Sequence, residues 1–229
     1  LLVRTAIPND ASYEGAETFK LVATNSGGTP AEGTGTIKDD GTGDIFKYSG
    51  NTSPTPLPST DPSYPVLDDD RPLSVNSITV NEASPYATFT VTGVTGQQVK
   101  LALAPTTAAS GNATLGTDTG NAGTSVPLQY YNGTTLVDYT PNSYVTIPAG
   151  GATLLVRTAI TQDSTYEGAE TFKLLATNSG GTPAEGTGTI KDDGTGDIFK
   201  YSGNTSPTPL PATRSEEHTS ELQSRETIS

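Results

Sequence analysis
The side chains in this sequence that could do chemistry are carboxylates, and they are unevenly spread. In the second half of the chain they gather at Asp138 (VDYTP), at Asp163, Glu167 and Glu170 (QDSTYEGAE), and at Asp192, Asp193 and Asp197 (IKDDGTGD). Brought together, such groups repel: two unit charges about 4 Å apart at an effective dielectric near 20 cost about 4 kcal/mol. Protonation relieves this only well below neutral pH for most carboxylates. A hard divalent cation relieves it at neutral pH. Calcium takes about six to eight oxygen ligands at about 2.3–2.6 Å and accepts irregular loops, whereas magnesium demands a tight octahedron. Zinc favours nitrogen and sulfur donors, and the chain has no Cys and one His, His218. The chemistry on offer is therefore calcium binding, the alternative being an acidic rim held apart in solvent. Catalysis has less support. Glu167 and Glu170 could pair as in a glycosidase, but no nucleophile elbow, phosphate loop or dinucleotide fingerprint is present.

Whether these carboxylates meet depends on the strands between them. Apolar residues alternate at Ile78 and Val80, Phe89 and Val91, and Val99, Leu101 and Leu103. They alternate again at Val145 and Ile147, Leu154, Val156 and Ile160, Phe172, Leu174 and Ala176, with Ile190 last. Turn-forming residues separate these runs at Ala83 to Pro85, Thr95-Gly96, Pro148 to Gly151 and Asn178 to Pro183. About seven short strands at this spacing predict an all-β fold, a two-sheet antiparallel sandwich. Antiparallel succession then assigns the ends. If the strand at 154–160 runs up, the loop holding Asp163, Glu167 and Glu170 caps the top. The next strand runs down, and the last runs up to Asp192-Asp193. Counting back, the strand at 143–148 starts at the top, beside Asp138. Asp138, Asp163, Glu167, Glu170, Asp192 and Asp193 are predicted to converge there. Residues 105–125, rich in Gly, Ala and Thr without a period, read as a long surface loop, and no helix is expected before residue 214.

Residues 1–60 recur as 154–213 at an offset of 153, with six differences. Such a period suits one domain plus a linker rather than a solenoid unit. The chain divides into the C-terminal part of one repeat (1–46), a Pro-rich linker (47–67), one complete domain (68–199) and the start of the next linker (200–213). Leu1-Leu2-Val3-Arg4 reads as the middle of a strand. Pro54, Pro56, Pro58, Pro62 and Pro65 favour an extended, semi-rigid spacer. Arg214 to Ser224 (RSEEHTSELQS) resembles the in-frame translation of a sequencing-library adapter, so 214–229 is set aside from the fold argument. With 12 basic and 25 acidic residues the net charge is −13, which disfavours nucleic acid as a partner. Without Cys there are no disulfides, and no apolar run is long enough for a membrane-spanning helix.

The order DY…PAGG…D-x-x-x-E-x-x-E-T-F…G-T-I-K-D-D-G-T-G resembles the Calx-β domain, known from sodium–calcium exchangers and from long bacterial surface proteins. The resemblance covers about 68–199, and again its later part in 1–46. It implies an immunoglobulin-like β-sandwich with calcium bound at one end. It also implies side-chain ligands at Asp138, Asp163, Glu167, Glu170, Asp192 and Asp193, with the Thr165 carbonyl as a main-chain ligand. Glu82, in TVNEAS, stands at a position that is often acidic, and Asp197 is a further candidate. In the partial repeat Asp10, Glu14, Glu17, Asp39 and Asp40 match the same pattern. Two departures imply fewer or weaker sites: the closing acidic run stops at Asp193-Gly194, and Gln162 stands where an acid is common. Asp68-Asp69-Asp70 either joins a site at the domain junction or forms a solvated turn, and a linker of about twenty residues argues against the former.

Calcium and neighbouring repeats of the same polypeptide are the expected partners. The expected role is a non-enzymatic, calcium-ordered spacer in a large secreted or surface-anchored bacterial protein of the adhesin kind. The alternatives are a calcium-sensing regulatory module of a membrane transporter, and a glycan-binding module of a secreted enzyme. For the last, Tyr130 and Tyr131 either line a sugar site or pack in an edge strand.

Overall fold
The computed structural model describes residues 1–46, 54–107, 111–120, 127–199 and 208–210. The adapter-like residues 214–229, the start of the first linker (47–53) and most of the second (200–207 and 211–213) lie outside them. The described residues contain strands and no helix. β1 (Glu17–Thr24) and β2 (Pro30–Ile37) form a separate antiparallel hairpin.

Ten strands follow between residues 68 and 199. They are β3 (Ser74–Val75), β4 (Ile78–Asn81), β5 (Tyr86–Thr92), β6 (Gln98–Pro105) and β7 (Gln129–Tyr131), then β8 (Leu136–Asp138), β9 (Val145–Thr146), β10 (Thr153–Ala159), β11 (Ala169–Asn178) and β12 (Pro183–Lys191). One sheet has the order β3-β5-β10-β7-β8 and the other β4-β12-β11-β6-β9. The sandwich is as expected, with more strands than the alternation indicates. β3, β7 and β8 have only two or three residues, too few to show a period of two. One pair departs from the antiparallel expectation: β4 runs parallel to β12, with Ile78 opposite Gly188. The strand read at 143–148 shrinks to β9, which pairs with the start of β6 through Gln98 and Val99. It lies at the end of the sandwich away from Asp163 to Glu170.

The alternation is cashed out in the core. Phe89, Val91, Val99, Leu154, Val156, Phe172 and Leu174 are fully buried between the sheets. Phe89 and Phe172 meet edge to face, centroids 5.8 Å apart, a geometry that adds about 0.5–1.5 kcal/mol to burial. Gly188 is required here, because a Cβ would strike the Phe172 and Phe89 rings. Tyr130 belongs to β7 and meets Tyr139 edge to face at 6.5 Å.

The two repeats fold alike only where the contacts are local. Lys20–Glu32 at 2.8 Å reappears as Lys173–Glu185 at 2.6 Å, and the Asn25–Thr29 turn reappears as Asn178–Thr182. Yet Phe19 and Leu21 are exposed at 39% and 47%, whereas their counterparts Phe172 and Leu174 are fully buried. Leu1 to Arg4 form no strand, although the matching residues lie in β10. The cause is partnership: β10 is flanked by β5 and β7, and no described strand flanks residues 1–4.

The described part of the linker, 54–67, is not an extended rod. Leu57 is buried and its N–H donates to the Ile45 carbonyl at 2.6 Å. Turns follow at Pro58–Asp61 and Asp61–Tyr64. The linker thereby returns to its own start, and Asp69 forms an antiparallel bridge with Asp40.

Candidate metal centre
The top of the sandwich is assembled from four segments, one of which the sequence reading passed over. Residues 111–120 are pinned rather than free. The Ala113 N–H donates to the Thr171 carbonyl, the Thr161 N–H to the Asp118 carbonyl at 2.9 Å, and the Gly120 N–H to the Ala159 carbonyl. Ala113 and Thr119 are buried. A tight turn closed by the Thr114 N–H donating to Asp118 Oδ2 at 2.6 Å holds Asp118 beside the residues leaving β10. Carboxylate oxygens of Asp118, Glu167 and Glu170 lie within 4.8 Å of one another. What read as a plain surface loop thus supplies a carboxylate to the cluster.

Beside this trio stands a second group. Glu82, just after β4, accepts a hydrogen bond from the Asp163 N–H at 3.1 Å and shares a hydrogen bond with the Asp192 carboxylate. Burial, that bond and the Asp192 and Asp163 charges push Glu82 above the ordinary carboxylate range, although the bond from the Asp163 N–H opposes the shift. Glu170 is pushed up to about 7 by burial and by Asp118, Glu167, Glu82 and Asp163. Glu167 is exposed and moves in the same direction, through partial desolvation and the Asp118, Asp163 and Asp192 charges. Every charge that shifts Glu82, Glu167 and Glu170 is acidic. Glu82, Asp118, Asp163, Glu167, Glu170 and Asp192 therefore form one electrostatic unit.

The other predicted residues are placed differently. Asp138 ends β8, at the outer edge of its sheet, and accepts a hydrogen bond from Gln129 Nε2 at 2.7 Å. Gln129 in turn accepts two hydrogen bonds from the buried Arg157 guanidinium at 2.9 and 2.7 Å, which stacks 3.8 Å over the Tyr86 ring. Asp138 is thus linked, through Gln129, to the Arg157 guanidinium two strands away. Through the register Arg157–Gln129–Asp138, Asp138 lies level with the upper part of β10, toward the same end of the sandwich as Glu170 but at the sheet's outer edge. Asp193 accepts hydrogen bonds from the Thr195 hydroxyl and N–H at 2.5 and 2.9 Å and lies 3.8 Å from Lys191 Nζ. Those partners hold it below the usual carboxylate range. Asp197 is fixed through its backbone, which bridges Val80 and bonds Asn81 and Thr79. Thr165 is exposed, and its N–H donates to Asp163 Oδ1 at 2.6 Å.

In the partial repeat, Asp10 accepts from the Ser12 N–H at 2.8 Å, as Asp163 does from Thr165. Asp40 is lowered chiefly by the Thr42 hydroxyl, as Asp193 is by Thr195. Asp39 Oδ2 accepts from the Glu14 and Gly15 N–H groups. Glu14 and Glu17 are exposed. No described residue of 1–46 stands where Asp118 and Glu82 stand in the complete domain, since those positions fall outside the duplicated stretch.

This arrangement offers hard oxygen donors and excess negative charge. Those are the terms on which a divalent cation of calcium's size is held from loops, and the donor set of Asp118, Glu167 and Glu170, with Asp163, Asp192 and Glu82 behind it, fits such an ion.

No family model matches the chain, and no curated protein matches it. Among solved structures it is similar to CBD12 from CALX1.2, with a TM-score of 0.35 and 18% identity, over 53% of this chain and 44% of that one. The chain thus spans less than half the length of that structure. It is also similar to the apo-form Calx CBD1 domain, with a TM-score of 0.33 and 17% identity, over 53% of this chain and 97% of that one.

Proposed function
We propose that residues 68–199 form a calcium-binding β-sandwich module, non-catalytic, that serves as a structural spacer in a large secreted or surface-anchored bacterial protein of the adhesin kind. The observation that carries calcium binding is the trio Asp118, Glu167 and Glu170, with oxygens within 4.8 Å and no cation among its charged neighbours. A bound ion removes the repulsion and cross-links the 111–120 turn, the 161–168 loop and the start of β11. With no disulfide available, such an ion orders the top of the sandwich by linkage to the folded state. The spacer role is supported by duplication: two copies 153 residues apart keep the same local hydrogen bonds, including the linker's return contact, Leu57 N–H to Ile45 and Leu210 N–H to Ile198. No helix among the described residues is long and apolar enough to cross a membrane.

Calorimetric titration of calcium chloride into the whole chain at pH 8, paired with thermal scans in calcium and in EDTA, tests the reading. Saturable binding and a melting temperature raised by calcium are expected. Absence of both overturns it.

A further inference from the structure
A second acidic gathering lies where the first repeat meets the domain after it. Because the linker folds back, the backbone of Asp39 to Gly41 pairs with that of Asp68 to Asp70. The Gly41 N–H donates to the Asp68 carbonyl and the Asp70 N–H to the Asp39 carbonyl, each at 2.8 Å. The far end of the sandwich grips the same strip: Ser179 Oγ donates to the Leu67 carbonyl at 2.8 Å, and the Gly180 N–H to the Asp69 carbonyl at 3.4 Å. Thr182 Oγ1 donates to the Ala11 carbonyl at 3.1 Å, which brings in the segment holding Asp10.

The three successive aspartates are not equivalent. Asp69 has its cation: Arg71 Nε and Nη2 donate to its two oxygens at 2.8 and 2.6 Å. Asp70 has none. It is 5% exposed, and its Oδ1 is buried without a hydrogen-bond partner. Asp39 Oδ1 is buried and unpartnered as well. Asp70 Oδ1 lies against Gly180, where an added Cβ would collide with it, and Asp68 Oδ1 is 3.2 Å from that same point. The glycine therefore leaves room for two carboxylates side by side. The charges that face Asp70 are Asp68, Asp39, Asp10 and Asp69, all negative. Those that face Asp68 are Asp39, Asp69 and Asp10. Burial and this company raise both groups above the ordinary carboxylate range. A buried anionic oxygen with neither donor nor cation is unfavourable unless something absent from the polypeptide completes it.

We propose that this joint is a divalent-cation site, in which Asp70, Asp68 and Asp39 hold a calcium-sized ion between the first repeat and the following domain. It uses none of the residues of the Asp118 trio, so each site can fail without the other. The ion would set the angle between consecutive repeats, since its ligands come from both sides of the joint.

The test is calcium chloride titration of the whole chain by calorimetry, with hydrogen exchange read at the Gly41 and Asp70 amides. Asp70→Asn is expected to lose one bound ion and the calcium-dependent protection of those amides, while Glu170→Gln keeps both. Asp68 is half-buried, so Asp68→Asn gives a second variant that preserves the fold if Asp70→Asn does not. It is expected to weaken this site by about tenfold or more. Wild-type stoichiometry and affinity in Asp68→Asn and in a folded Asp70→Asn, or amide protection indifferent to calcium, overturns the proposal. Loss of all binding in Glu170→Gln alone also overturns it, and leaves the Asp118 trio standing.

Discussion
Glu170→Gln is the substitution that separates a metal centre from an acidic rim, because only a metal centre makes its effect on stability depend on calcium. The amide keeps the size of the side chain and removes one charge. In the metal-free protein that charge faces Asp118 with oxygens within 4.8 Å. Coulomb's law puts such a pair at about 3.5 kcal/mol for an effective dielectric of 20 and about 0.9 kcal/mol in bulk water. Glu170 is only half-buried, so the solvent-screened figure of about 1 kcal/mol is the appropriate one. At pH 8 in EDTA the variant should therefore be more stable than wild type by about 1 kcal/mol, a rise of about 3–5 °C in melting temperature for a domain of this size. Calcium reverses the order of gains. At a hundredfold excess over its dissociation constant it stabilises wild type by about 2.7 kcal/mol. Loss of a charged ligand at about tenfold in affinity reduces the variant's gain to about 1.4 kcal/mol at the same concentration. The apo advantage should thus disappear in calcium. Differential scanning calorimetry in EDTA and in calcium reads both numbers. A variant that is less stable than wild type in EDTA, yet gains as much from calcium, would refute the reasoning.

Three further outcomes follow from the same geometry. Glu170 titrates near 7 in the fold against an ordinary value of 4.5, and Glu82 and Glu167 shift the same way. The folded state then binds more protons between about pH 4.5 and 7, so metal-free stability should fall as pH rises through that window; urea midpoints in EDTA at pH 5.5 and 8 check the sign. Asp40 and Asp193, lowered below 3.8, act oppositely and only in more acidic solution, where their contribution is lost as pH falls. Asp138→Asn should leave calcium affinity unchanged, because Asp138 bonds Gln129 rather than the cluster; calorimetric titration decides. Phe172→Ala should cost about 3–5 kcal/mol, whereas Phe19→Ala, at the matching position of the first repeat, should cost under about 1 kcal/mol because that ring is exposed. Chemical denaturation of each variant measures the difference.

Much of the fold is legible along the chain. Strands β5, β6, β10, β11 and β12 are long enough to show alternation, and the glycine- and proline-rich turns between them mark where it stops. The acidic loops after β10 and β12 sit at one end because consecutive antiparallel strands must alternate direction. That much follows from local geometry. Asp118 was not legible, since nothing in GNATLGTDTG announces that its backbone docks on residues 159–161 and 171; a short run rich in Gly and Thr is a common surface signal. The end of the sandwich that Asp138 occupies follows from the strand count, but its partner does not: Gln129 and the buried Arg157 behind it are contacts between strands, and pairing partners are invisible to a pattern with a period of two.

The duplicated segment shows most plainly where the sequence stops and tertiary structure begins. Near-identical residues close the same hairpin twice, with the same Lys–Glu pair and the same Asn-centred turn, because those bonds span few residues. Their apolar faces have opposite fates, because burial requires a second sheet, and among the described residues only the later copy packs against one. Composition and spacing likewise announced acidic groups suited to calcium. Which of them touch, which are paired with Arg71 or hydrogen-bonded by Thr195 or Gln129, and which are left buried without a partner was decided only when distant segments packed together. Charge is a property of a residue, but repulsion is a property of a distance.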